Sequence, residues 1–141
     1  MALYYPAEGR NYMMDVAVHG RAQISSWYVL LFEGDYTPQE DDTAANIVAR
    51  ATEITAYVAG TRQALTVDAA VAGATDNADN LAEVTLNANK TVHGFAIVSA
   101  AAKGATTGVL LAIQKLATGR AYANGDVIKV PVSLEIGRAH V

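Results

Sequence analysis

The sequence predicts an all-β fold, a β-sandwich of jelly-roll or immunoglobulin-like type with one or two short helices near the N-terminus. Three observations predict it. Six short runs carry strand-like patterns, either alternating apolar with polar residues or apolar throughout. Nowhere do these runs alternate with long helical patterns, which removes the doubly wound α/β class. Two of them, Thr91–Ser99 and Val109–Leu116, are apolar on both faces, as strands in the middle of a packed sheet must be.

The elements follow in chain order. Tyr4, Tyr5 and Pro6 open an extended arm, and Glu8 to Val18 forms a short helix with Tyr12, Met13, Val16 and Ala17 on one side, ended by Gly20. Ser25 to Phe32 is the most strand-prone run of the chain, rich in aromatic and branched side chains. Glu33 to Asp42 is a loop with Gly34 and Pro38, and Asp42 or Thr43 caps a second short helix running to Arg50. Gln63–Val67 and Ala82–Leu86 are strands, separated by a loose alanine- and glycine-containing stretch through Asn80. In the central pair the alternation sets His93, Phe95 and Ile97 against Val92, Ala96 and Val98, and Val109, Leu111 and Ile113 against Leu110, Ala112 and Gln114. Ala100 to Gly108 is the loop between them. After an Asn124–Gly125 turn the last strand, Asp126–Leu134, aligns Ile128, Val130, Val132 and Leu134 on one face, and Pro131, which cannot donate to a ladder, places the strand at an edge or exposes that position. The expected domain plan is therefore an N-terminal arm and short helix over 1–24, a β-sandwich over 25–135, and a tail over 136–141. Glu135 to Val141 reads as the translation of a common short-read sequencing adapter, so the tail is expected to be non-native.

Composition narrows the function more by exclusion than by signal. The 141 residues are 52% hydrophobic and only 17% charged, below the roughly 25% of ordinary soluble proteins. With no cysteine, neither disulfides nor thiolate metal sites are available. No apolar run approaches the roughly 18 residues of a membrane span, and no basic-then-apolar leader opens the chain, so neither membrane insertion nor a secretory signal is expected. Residues 1–83 hold 4 basic and 12 acidic side chains, while residues 84–141 hold 6 and 2. That asymmetry suits complementary patches between copies, and the net charge of −4 without a basic cluster argues against nucleic acid.

No catalytic constellation is visible. His19, His93 and His140 are scattered, and His93 lies in an apolar strand where a hydrogen-bonded structural role is expected. The run Glu40, Asp41, Asp42 lacks the alternation and glycine of a calcium loop, and Gly104 to Gly108 lacks the helix start of a phosphate loop. No enzyme activity, cofactor or metal is expected. The candidate functional residues are instead those of an interface: Tyr4, Tyr5, Pro6, Tyr12, Met13 and Met14, an apolar-rich opening outside the clearest strands.

One further signal comes from motifs. Trp27, Tyr28, Val29, Leu31, Phe32, then Tyr36, Thr37, Pro38 and Asp42, Thr43, Ala44 resemble a family of small virion structural proteins of tailed bacteriophages. The similarity continues through Glu53, Thr55, Ala56, Tyr57 and Thr61 to Ala64, through Gly94, Ala96, Val98, Ser99, Lys103, Gly104, Thr106 to Gly108, Leu110 and Leu111, and through Gly125, Asp126, Ile128 and Val130. The resemblance implies localisation in the virion, a homo-oligomer, and contact with the major capsid protein or other virion proteins. The expected role is a capsid decoration or cement protein that stabilises the head by bridging subunits. The alternative is a tail or fibre component binding a host surface glycan or protein, with Trp27, Tyr28, Tyr36 and Tyr57 as an aromatic platform.

Overall fold

The computed structural model describes residues 3–135; the tail expected to be non-native, 136–141, lies outside them. The fold is all-β, with the helices of the described residues confined to the first 51 positions. In chain order it runs α1 (Ala7–Val18), β1 (Trp27–Phe32), α2 (Ile47–Ala51), β2 (Gln63–Leu65), β3 (Ala74–Asp76), β4 (Ala82–Thr85), β5 (Lys90–Val98), β6 (Leu110–Tyr122), β7 (Val127–Val130) and β8 (Ser133–Glu135). A four-stranded antiparallel sheet in the order β2-β1-β5-β6 forms the centre, accompanied by the two-stranded ladders β4–β7 and β3–β8.

The central sheet is covered on both faces because its middle strands are apolar on both faces. On one side Val29, Leu31, Phe95 and Ile97 meet Ala82, Val84, Leu86, Ile128 and Val130 of the β4–β7 ladder, together with Leu3 and Tyr12 from the opening segment. On the other, Leu30, Phe32, Ala96, Val98, Leu110 and Ile113 meet Ala44, Ile47 and Ala51 around α2. Phe95, Ile97, Leu111, Ile113, Ile128 and Val130, all expected inside, are buried.

Three features depart from simple alternation. The β5–β6 register shifts near Ile97/Val98, where Ile97 pairs with Ala112 but Val98 with Leu110, so Leu111 is the extra residue of a bulge. The bulge turns Ile113 to the α2 side and leaves Leu111 on the other, whereas strict alternation puts the two together. The shift near Val92/Gly94 likewise places Val92 with Phe95 and Ile97. Finally, the expected last strand is two strands, β7 and β8, interrupted at Pro131. Asn77 fills the interruption: its Nδ2 donates to Val130 O at 3.0 Å and its Oδ1 accepts from Val132 N at 2.8 Å. Val132 O accepts in turn from Asn77 N, so the buried amide supplies the pairing that proline denies.

Gly94 sits where β1, β5 and β6 are tightest. A Cβ there would stand 2.3 Å from both Gln114 O and the Phe32 ring, so no other residue fits this strand position without displacing backbone.

Candidate functional site

The six candidate interface residues belong to one segment, and the structure distributes them over three degrees of burial. Tyr4 extends the free edge of β6 by one bridge, donating to Ile113 O at 2.7 Å and accepting from Ile113 N at 2.8 Å. Pro6 then caps α1, its carbonyl accepting from Arg10 N at 3.0 Å. Glu8, in the first turn, accepts through one carboxylate oxygen from Ala44 N at 2.9 Å and Leu110 N at 2.7 Å, which fastens the helix to β6 and to the turn before α2. Gly9 allows the closest approach: a Cβ there would lie 2.0 Å from Leu111 O. The glycine that weakens the helix by propensity is the one that lets it dock.

Tyr12 follows one turn later, 5% exposed, its ring edge-on to Trp27 at 5.2 Å and its hydroxyl accepting from Ile24 N. Arg21 lies 4.9 Å from the Tyr12 ring centroid, closing the return of the chain after the helix. Pro6 and Tyr12 are thus occupied inside the chain; Tyr4, Tyr5 and Met13 are half-buried; Met14 is 60% exposed and, with Val18 at 75%, forms a short apolar stripe on the outer side of α1.

The second structured region joins segments far apart in sequence. Glu53 and Arg62 form an ion pair with both side chains 1% exposed: Nε donates to Oε2 at 2.8 Å and NH2 to Oε1 at 2.9 Å. The rest of the guanidinium donates to Ala100 O and Ala105 O, and Glu53 also accepts from Gly104 N at 2.9 Å. Lys103 donates to Thr55 O and Tyr57 O while standing 4.0 Å from the centroid of the Tyr57 ring. The β5–β6 loop is therefore held by the segment before β2, and every buried side-chain polar atom in the described residues has a partner. Burial, with the nearby Glu53 carboxylate, pushes the Tyr57 phenol up to about 12.

The acidic run makes a third tie. Asp42 is fully buried and accepts from the Tyr36 hydroxyl, from Gln39 N at 2.7 Å and from Arg50 at 2.8 Å. Arg50 also takes Asp41, holding that carboxyl below the usual carboxylate range. Burial, and the hydrogen bond to Asp42, raise the Tyr36 phenol to about 12. The carboxylates at 41 and 42 thus face a guanidinium, and the turn into α2 is capped reciprocally by Thr43 and Asn46. His93 makes the structural contact expected of it, Nδ1 lying 2.8 Å from Glu33 O.

The four aromatics considered as a platform do not share a surface. Trp27 and Tyr57 belong to the core on the β4–β7 side of the sheet, Tyr28 and Tyr36 to the α2 side. Sequence reasoning passed over Glu8 and the Glu53–Arg62 pair as chemistry, since single charges in weakly patterned segments carry no local signal; their partners are up to 102 positions away.

Against known proteins, residues 9–135 match the model of a family described as podophage GP4 fiber I protein gp80. No curated protein matches the chain.

Proposed function

The chain belongs to the podophage GP4 fiber I protein gp80 family and is a small structural component of the bacteriophage virion, and from that premise we propose that it is a non-catalytic building block of the fibre apparatus. In this reading it works by packing against copies of itself and other virion proteins, with no cofactor and no bond made or broken. The observation that carries it is the use of polar groups. Glu8, Glu53 and Arg62 are spent on cross-ties between distant segments of the same chain, and Asp42 on fastening the turn before α2, which makes a rigid body suited to repeated assembly. An adhesin built on Trp27, Tyr28, Tyr36 and Tyr57 is disfavoured, because those rings serve two separate cores.

Cement on the capsid shell is the second reading, favoured by one observation: the opening segment is ordered against β6 and still presents Met14 and Val18 outward. In that case the major capsid protein is the partner. Gold-labelled antibody against this chain on intact particles separates the two. Label on the fibres supports the building block; label spread over the head overturns it in favour of cement.

A further inference from the structure

β6 outruns its partner strand. Gly94 pairs with Lys115 and Val92 with Arg120, so Leu116 to Gly119 all lie across from His93 alone. Where the two strands part, a cleft of about 470 Å³ opens between β6 and β7, within the range of about 300 to 1,000 Å³ typical of small-molecule sites. Its floor is apolar, with Val92, Phe95 and Ile128 each 5% exposed or less.

Its wall is polar, and strand geometry says which side chains face in. Gln114 stands across from Phe95 and Arg120 across from Val92, so both share the floor's face, and two-residue alternation adds Thr118 and Tyr122. Among the described residues, no carboxylate lines the cleft. Arg120 makes no ion pair with any described residue. Lys129 also borders the cleft but stands across from Glu83 on the β4–β7 ladder.

An amide, a hydroxyl, a phenol and an unpaired guanidinium around an apolar floor suit a ligand with an apolar face ringed by hydroxyls and one negative charge. A lipid tail would leave the polar wall unpaired, at a cost for each desolvated group. A simple anion would leave the floor empty. The geometry points to a binding site for an acidic saccharide, its carboxylate paired with Arg120 and its ring face against Tyr122. This reaches beyond the building-block reading and does not depend on it, since the cleft exists wherever in the virion the chain resides.

The test is a titration of the full-length chain, followed by amide NMR shifts and calorimetry. The probes are trigalacturonate, a glucuronate-containing trisaccharide and a sialylated trisaccharide, with methyl-esterified trigalacturonate, maltotriose, acetate and the dipeptide Asp-Asp as controls. The expected result is saturable binding of at least one acidic saccharide, with shifts concentrated in residues 114–122. Arg120→Gln, a change at an exposed position, should weaken that binding about tenfold or more, while the rest of the spectrum stays unchanged. No saturable response to any acidic saccharide overturns the proposal. So does equal binding of the ester, the neutral sugar or acetate, or full binding by the Arg120→Gln variant. Tighter binding of Asp-Asp overturns it in favour of an acidic peptide.

Discussion

Replacing Arg62 with methionine tests how the β5–β6 loop is held. The substitution keeps most of the volume and removes four hydrogen bonds, two to Glu53 and one each to Ala100 O and Ala105 O. It leaves a carboxylate that is 1% exposed with Gly104 N as its remaining hydrogen-bond donor. Breaking a buried pair from one side costs about 3 to 5 kcal/mol, because the surviving charge is neither hydrated nor paired. At an unfolding entropy of about 2 cal/mol/K per residue, each kcal/mol shifts Tm by about 3 °C in a chain of this length. The expected loss is therefore about 10 to 15 °C, read by calorimetry and checked by urea unfolding. Combining it with Glu53→Gln should recover part of the loss, since the orphaned charge is then gone. A loss below about 1 kcal/mol, the range of an exposed pair, would refute the reasoning, because it would mean that water reaches Glu53 and that the loop does not depend on the tie.

Three other perturbations test separate parts of the structure. Gly94→Ala should cost several kcal/mol in urea unfolding, because the added methyl meets Gln114 O and the Phe32 ring at 2.3 Å; a wild-type midpoint would mean the strands separate freely there. Tyr57→Phe should shrink the loss of stability at high pH: the phenol's folded-state value is raised from 10.0 to about 12, so its contribution is complete below about pH 10 and fades as pH climbs through that window. Identical alkaline unfolding curves for the two proteins would contradict it. On α1, Tyr12→Ala should lower Tm by the equivalent of about 3 to 5 kcal/mol, whereas Met14→Glu should leave Tm unchanged and weaken self-association in sedimentation; the opposite pattern would assign the two faces wrongly.

Much of the sheet was legible because its signal is local. Period-two patterns in β4, β5 and β7 place Val84, Phe95 and Ile128 correctly without knowledge of any partner. What was not legible depends on pairing. A bulge moves every later residue of a strand to the other face, and nothing in the run from Leu110 to Gln114 announces that Leu111 is the extra one. Pro131 signals a fault in the last strand, but that Asn77 repairs it emerges only when a segment more than fifty positions away is brought alongside. The short β3 has three residues, too few for a period, and exists because β8 supplies its ladder.

The interface candidates show the same limit from the other side. Apolar residues outside the strands imply that something covers them, and residue types alone do not distinguish the chain's own surface from a neighbour's. Gly9 held the discriminating information, since a glycine inside a helix costs about 1 kcal/mol relative to alanine and calls for a compensating close contact. Here that contact is the β6 backbone at Leu111. Once Gly9 faces the sheet, helical geometry fixes the rest: Tyr12 and Val16 follow on the inner side, and Met14 and Val18 turn outward. Of the six residues named from the sequence, Met14 is the most exposed.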